Sequence, residues 1–371
     1  NKLARKSPWW TVIMFFAANY VLNFVLSTAA TIFVMLPIAA EILESVGIQK
    51  EDKAPIAVAL MLGTLVTGLI SNSANPISHT TTLQGFSFYE SFTGEAMDFF
   101  TYCAIAFPVS IVCVVLFVLM VKFVWHPEVS ALKNVNYDAM TSSLGPMTKK
   151  EKWSVFFYIV CVLLWMMPGL SKYIWPGAAA FFGKINNCLP PLAALFLMNF
   201  IKVDGEKILD WGEAVKSVNW PSFMFIASIM GLGSFMGNAD IGIPAWMSSV
   251  LSPVFSNVSP FVFLAVMVLL ADLMTNFTSN TVTASVMLAV ALPLAMGIYG
   301  GRISVFVVAT LVTSAANNGW TAPPASPTAA VVYGSEWVDT KSMMKWGLLT
   351  ALIHVIVTMS FGYLLGTAIC G

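Results

Sequence analysis

Charge is what this sequence has least of. Of 371 residues only 10% are Asp, Glu, Lys or Arg, while 58% are hydrophobic. Soluble domains carry about 25% charged residues, so most of this chain's surface does not face water. The 18 basic and 18 acidic residues cancel to a net charge of zero. That balance removes the long-range field that would attract nucleic acid or another polyanion. Cysteine is also sparse. Cys103, Cys113, Cys161, Cys188 and Cys370 form no CxxC pair and no Cys/His ligand spacing, and they read as reduced packing residues. There is no HExxH, no GxSxG and no P-loop, so the common signatures of catalysis are missing. The chain starts Asn1-Lys2-Leu3 without an initiator Met or a signal-peptide pattern, and upstream sequence is expected.

What the chain has is long apolar runs, at about 9–44, 54–83, 98–124, 153–175, 186–201, 219–237, 259–297, 303–335 and 346–368. A bilayer core about 30 Å thick needs roughly 20 such residues as helix. Runs 9–44 and 259–297 are twice too long for one span. Ser27-Thr28-Ala29-Ala30-Thr31 interrupts the first and Thr278-Ser279-Asn280-Thr281 the second. A polar break at the midpoint of a double-length run predicts a re-entrant hairpin with its tip at membrane depth. Such backbone survives there only where protein or a water-filled cavity satisfies it.

With both long runs as hairpins and residue 1 in the cytoplasm, the outer side holds only Lys172, Lys184 and Arg302 of the 18 basic residues. Lys2, Arg5, Lys6, Lys50, Lys53, Lys122, Lys133 and the remaining lysines fall inside, as the positive-inside rule requires. The runs between the hairpins are 54–83, 98–124, 153–175, 186–201 and 219–237, an odd number of crossings. The hairpins therefore enter from opposite faces, the geometry of an inverted repeat. The sequence supports that symmetry. Residues 27–36 (STAATIFVML) align without a gap on 279–288 (SNTVTASVML), and Thr64-Leu65-Val66-Thr67 recurs as Thr310-Leu311-Val312-Thr313. Each TLVT leads a helix that breaks, at 71–80 (SNSANPISHT) and at 317–328 (NNGWTAPPASPT). Three spans precede the second hairpin and none the first, so about three upstream spans are expected.

The predicted fold is an all-α polytopic membrane protein with inverted repeats, each holding a re-entrant hairpin and a broken helix. Residues 1–124 form the N-terminal repeat, 125–152 a cytoplasmic linker and 153–371 the C-terminal repeat. A broken helix exposes N–H groups at one new end and carbonyls at the other. The first kind of end attracts anions, and the second, with hydroxyl and amide oxygens, suits a small hard cation such as sodium. The bland reading of an isolated Ser or Thr in such helices is packing glue. Ser279-Asn280-Thr281, at the centre of a double-length run, reads instead as functional.

At these residues the chain resembles the divalent-anion/sodium symporter family of the ion-transporter superfamily, over nearly its whole length. Ile208-Leu209-Asp210-Trp211-Gly212-Glu213-Ala214 and Asn219-Trp220-Pro221, ahead of Gly231, Gly233 and Gly237, resemble the family's amphipathic segment and glycine-rich helix. The resemblance implies a second sodium site from Thr275, Ser279, Asn280 and the Ala325 carbonyl, and a first from Asn23, Ser27 and Ser78. It implies substrate contacts from Ser27, Thr28, Asn280, Thr281, Ser326 and Pro327, with Pro327 holding the break open, while the first break departs from the family's Thr-Pro-Pro-Asn and offers Ser78-His79-Thr80 instead, with His79 and Thr80 as candidate contacts. It further implies a small organic anion as substrate, sodium as the bound ion, no organic cofactor and a homodimer. The expected location is a plasma membrane or a bacterial inner membrane. Transport would be by alternating access, with one bundle carrying both tips against a scaffold. The chain departs from the family at Ser27-Thr28-Ala29, where the first tip's Asn and Thr are absent, and at Ser326, Thr328 and Ala329 in the second break. The first departure fits fewer coupled cations or a different anion.

Two other groups stand out. His79 is a histidine at membrane depth in a predicted site, able to contact an anion or carry a proton, or simply to bond the broken backbone. Asp272 is an intramembrane carboxylate, functional or merely paired. His126 and His354 read as residues of no particular role. A sodium-independent or proton-linked exchanger, an intramembrane enzyme and a channel remain as alternative readings.

Overall fold

The computed structural model describes residues 7–76, 79–135, 146–185, 188–218, 220, 223–224, 227–228, 231, 235 and 238–371. Among the residues singled out in the sequence, Lys2, Arg5, Lys6, Ser78, Asn219, Pro221, Gly233 and Gly237 lie outside them, as does most of run 219–237 and the middle of the linker. The chain forms two compact units, one of residues 1–97, 104–137 and 229–371 and the other of 98–103 and 138–228.

In the first unit each long run is a pair of helices. Helix α1 (Pro8–Val25) gives way to α2 (Thr28–Glu44) through Leu26 and Ser27 alone, both in extended conformation. Ser27 starts α2 by accepting the Ala30 N–H at 3.3 Å. Helices α3 (Pro55–Ser73) and α4 (Thr80–Thr93) follow. Helix α5 (Phe99–Met120), extended by a π turn to Trp125, has the highest mean hydropathy of the long helices.

The later part of this unit begins with α8 (Ile243–Phe255). Helices α9 (Pro260–Thr275) and α10 (Asn280–Gly297) form the second pair, with Ser279 starting α10 by accepting the Val282 N–H at 3.2 Å. A second interrupted pair follows, α11 (Val305–Ala316) and α12 (Pro327–Gly334), and then α13 (Thr340–Val357), which continues through a π turn to Cys370.

The packing repeats in the two parts. α1 and α2 both lie on α3, as α9 and α10 both lie on α11. α4 reaches across to α10 and α11, and α12 reaches back to α2 and α3. Every residue of α3 from Ile56 to Ser73 is buried, as is α11 from Val307 to Ala316. Neither helix carries a charge, and each has only short polar residues, most of which find partners inside the protein rather than water. The outer helices turn apolar residues outward instead. Leu348, Leu352 and Ile356 of α13 lie one helical turn apart and each is about half exposed, the surface a bilayer's hydrocarbon would cover.

The second unit contains α6 (Lys149–Ile174), α7 (Leu189–Phe200) and a short helix Trp211–Lys216. Thr148 and Glu151 form a capping box at the start of α6. Asp204-Gly205, both with positive φ, turn a two-stranded ribbon of Lys202–Val203 and Glu206–Lys207. Asp210 caps the short helix by accepting the Gly212 N–H at 2.9 Å.

Several boundaries differ from the sequence reading. The tips lie at Leu26-Ser27 and at 276–279, so Thr28–Thr31 and Asn280-Thr281 are first turns of helices rather than loop. Run 54–83 ended where Gln84 and Ser87 enter, but these polar residues keep helical spacing and α4 runs to Thr93, closed by Gly94 at φ 74°. Run 186–201 yields a helix of only 12 residues, about 18 Å long at 1.5 Å per residue. Helix α8 was not foreseen, because Pro244 and Pro253 and a chequered apolar pattern hid it.

The two interrupted helices are also tied at a surface. Lys50 pairs with Glu336 at 2.6 Å and Lys53 donates to the Glu336 carbonyl. The Lys50 ammonium holds the Glu336 carboxyl below its usual range. Both partners are largely exposed, so the pair adds little to stability.

Two glycines set opposite expectations. A Cβ on Gly347 of α13 would stand 2.7 Å from the Thr321 Cα, a backbone atom that cannot step aside. Gly334 has helical conformation and nothing within 4 Å of such a Cβ. We predict that Gly347→Ala lowers stability by about 1–3 kcal/mol, and that Gly334→Ala is neutral or raises it by up to about 1 kcal/mol. Thermal unfolding of both purified variants checks this. A Gly347→Ala protein as stable as the parent would mean that α13 does not approach the break this closely.

Candidate functional site

The chemistry-bearing residues of the C-terminal half meet where α9 ends, α10 begins and α11 breaks. Thr275, the last residue of α9, has its Oγ1 2.6 Å from the Ala316 carbonyl and 2.8 Å from the Asn280 Oδ1. The Asn280 Nδ2 donates to the Asn317 carbonyl at 3.1 Å. Gly319 closes the cluster. A Cβ there would come 2.5 Å from the Asn280 Oδ1 and 2.7 Å from the Ala325 carbonyl, so only glycine leaves these two oxygens free to converge.

Protons are short in this cluster. Thr275 carries one hydroxyl proton and stands between two acceptors, and the carbonyl of Ala325 faces the same space. Oxygens that outnumber their protons are what a small hard cation needs, since such ions are held by carbonyl, amide and hydroxyl oxygens. Three residues named for the second sodium site, Thr275, Asn280 and Ala325, are thus brought together. Ser279 is not placed with them. It is exposed, and its Oγ is occupied in starting α10.

The residues named for substrate lie at helix N-termini. Ser326 is buried, donates to the Gly319 carbonyl at 2.8 Å and accepts the Ala329 N–H at 3.1 Å. Pro327 occupies the first position of α12, where its missing N–H costs nothing. Thr281 is half-buried in the first turn of α10, and its carbonyl accepts from Gln84 at 3.2 Å. Ser27 is exposed and starts α2, while Thr28 is buried with its Oγ1 accepting from the Asn72 amide. His79 starts α4, its Nδ1 accepting the Thr81 N–H at 3.3 Å, with the Asn317 side chain near its ring. Thr80, the first residue of α4, is exposed. Helix N-termini of this kind present N–H groups and positive potential to an anion.

Asparagines that the sequence reading passed over do much of the joining. Asn19 donates to the Thr64 carbonyl at 2.8 Å and to Thr67 at 2.7 Å, tying α1 to the first TLVT. Asn317 donates to Thr82 at 3.2 Å and so links the second break to α4. Gln84 of α4 donates to both Thr281 and Ser285 of α10. Asn23, named for the first sodium site, donates to the Asn19 carbonyl at 2.9 Å, and its own Oδ1 is buried without a partner. The Oδ1 of Asn72 is in the same condition. Buried amides inside apolar runs were the available signal, because an amide in hydrocarbon surroundings must find partners.

Comparison with known proteins identifies the family. A sequence model of the sodium:sulfate symporter transmembrane region matches residues 6–370. A protein of Staphylococcus saprophyticus named sodium-dependent dicarboxylate transporter SdcS is 24% identical over 96% of this chain and 69% of its own length. Na(+)/dicarboxylate cotransporter 3 of Rattus norvegicus is 21% identical over 76% of this chain and 52% of its own. Solute carrier family 13 member 1, also from rat, is 25% identical over 58% of this chain and 38% of its own. Among the described residues, six helices are long and apolar enough to cross a membrane. The chain therefore belongs to the sodium:sulfate symporter family, and is a multi-pass integral membrane transporter rather than an enzyme.

Proposed function

We propose that this protein carries a small divalent anion, a dicarboxylate or sulfate, across the membrane together with sodium, by alternating access. The oxygen cluster of Thr275, Asn280 and Ala325 carries this reading, because it holds more acceptors than protons. The anion would sit against the N-termini of α2, α4, α10 and α12, and the cation against the carbonyl end of α11. The names of the relatives, dicarboxylate transporters among them, support the substrate class.

The hairpins α1–α2 and α9–α10 would be re-entrant and the two parts related by an inverted repeat. The reciprocal packing supports this, with α4 on α10 and α11 and α12 on α2 and α3. In the first half the tip lacks its Asn, but Asn72 of α3 places an amide on Thr28, and the Oδ1 atoms of Asn23 and Asn72 have no donors. These oxygens, one from α1 and one from α3, would serve the first sodium site in place of the missing tip amide. The sodium-independent exchanger remains the second reading, favoured by the engagement of Thr28 with Asn72.

Uptake of labelled succinate and sulfate into proteoliposomes tests the proposal. Uptake of at least one, abolished when choline replaces sodium at constant ionic strength, is the expected result. Undiminished uptake in choline would establish the exchanger, and no uptake of either anion would sink the substrate assignment. We also predict that Gly319→Ala, which fills the space between the Asn280 and Ala325 oxygens, weakens apparent sodium affinity at least tenfold, about 1.4 kcal/mol. Asn280→Ala should remove sodium-dependent uptake altogether. A sodium titration on Gly319→Ala that overlays the parent would show that the cation binds elsewhere.

A further inference from the structure

Behind the cation cluster lies a second group of polar side chains that transport by the proposed site does not use. Asp272 of α9 and His354 of α13 are each only 2% exposed, and their Oδ1 and Nδ1 atoms are 3.7 Å apart. Asn318 stands between them in the break after α11. Its Nδ2 lies 2.6 Å from the Asp272 Oδ1 and 2.6 Å from the His354 Nδ1. An amide nitrogen has two hydrogens, one for each neighbour. A donor facing Nδ1 requires that nitrogen to be bare, so the imidazole is neutral, with its proton on Nε2 toward Ser314 at 3.4 Å and Thr358 at 3.5 Å. The Oδ1 of Asn318 is buried and has no partner at all.

With Asp272 ionised, this arrangement holds one negative charge deep in apolar surroundings. No lysine or arginine occurs in α3, α5, α9, α10 or α11 to balance it. On α13 the nearest lysine along the chain is Lys345, more than two turns from His354. The titratable side chain that faces Asp272 from α5 is the thiol of Cys113, which offers no positive charge. An uncompensated carboxylate at such a place is costly and is relieved by taking up a cation.

We propose that Asp272, Asn318 and His354 form a proton site whose occupancy is transmitted to the neighbouring sodium cluster. The inference rests on the transport reading above. One proton bound from solution neutralises the group, on the carboxylate or on Nδ1. A proton on the Asp272 Oδ1 or on Nδ1 makes Asn318 face an O–H or N–H donor, and its amide turns to present the Oδ1 that otherwise has no partner. Asn318 lies between Asn317, whose carbonyl holds the Asn280 amide, and Gly319, whose missing side chain makes room for the cluster. The side chain that turns is thus borne on the same short backbone segment as the groups proposed to hold sodium. Asn276 ties the end of α9 to the break after α11 by donating to the Asp272 carbonyl at 2.6 Å and accepting the Trp320 and Thr321 N–H groups.

Infrared pH-difference spectra of the full chain in vesicles, without any substrate, give the first test. A protonated-carboxyl C=O band should titrate in the parent, persist in Asp272→Glu and vanish in Asp272→Asn. Succinate or sulfate uptake at saturating sodium gives the second. It should change with external pH, by up to tenfold per pH unit where the proton is obligatory, and Asp272→Asn, at whatever rate it retains, should lose that dependence. Apparent sodium affinity should move with pH in the parent and in Asp272→Glu but not in Asp272→Asn. Absence of a band that depends on Asp272 overturns the proton site even if transport is normal. A band present together with pH-independent sodium affinity overturns the coupling. Uptake that fails for every anion, with the band intact, counts against the transport reading and leaves the site established.

Discussion

Everything in the first unit follows from the requirement that broken backbone in apolar surroundings be satisfied. Each helix pair is interrupted where water would normally supply partners, and each interruption is repaired by a short polar side chain. Ser27, Ser279 and Ser326 accept the N–H groups of their helices, and His79 does the same for α4. At the opposite ends the carbonyls of Ala316 and Asn317 find Thr275 and Asn280. The repairs are incomplete by design of the residues available. Serine cannot satisfy a whole helix terminus, and what is left over, N–H on one side and carbonyl on the other, is what the proposed function would use for binding.

Much of this was legible in the sequence because the bilayer allows so few solutions. Double-length apolar runs with a polar midpoint gave both helix pairs, and the repeated TLVT located both breaks. Thr275, Asn280 and Ala325, named from the resemblance, lie close together. Ser279 does not join them, because a serine at a helix start serves the backbone before it serves a ligand. Gly319 was invisible as a site residue, since its contribution is the side chain it lacks. Asp272 and His354, 82 positions apart by their numbers, were read separately, and no local pattern could pair them. Only the fold, through Asn318, shows that they face each other.

Asparagine has a wider part than its frequency in membrane helices would suggest. Asn19, Asn72, Asn280, Asn317 and Asn318 each carry donor and acceptor on one short stem, and each bridges elements distant in sequence. An amide can reverse its polarity by turning about one bond, at no change in volume. A carboxylate or a lysine in the same place would fix one sign permanently. A site that must bind ions and then release them is better served by the group that can turn.

The pairing of Lys50 with Glu336 is a weak contributor to stability, yet it joins the loop ahead of α3 to the loop behind α12. Exposed charge pairs loosen as salt screens them. Under the proposed function, adding sodium chloride to this protein would do two things at once, filling an interior cluster of oxygens and slackening an external latch between the two interrupted helices. Apparent cooperativity in such a titration would have an electrostatic component that belongs to the solution, separable by holding ionic strength fixed.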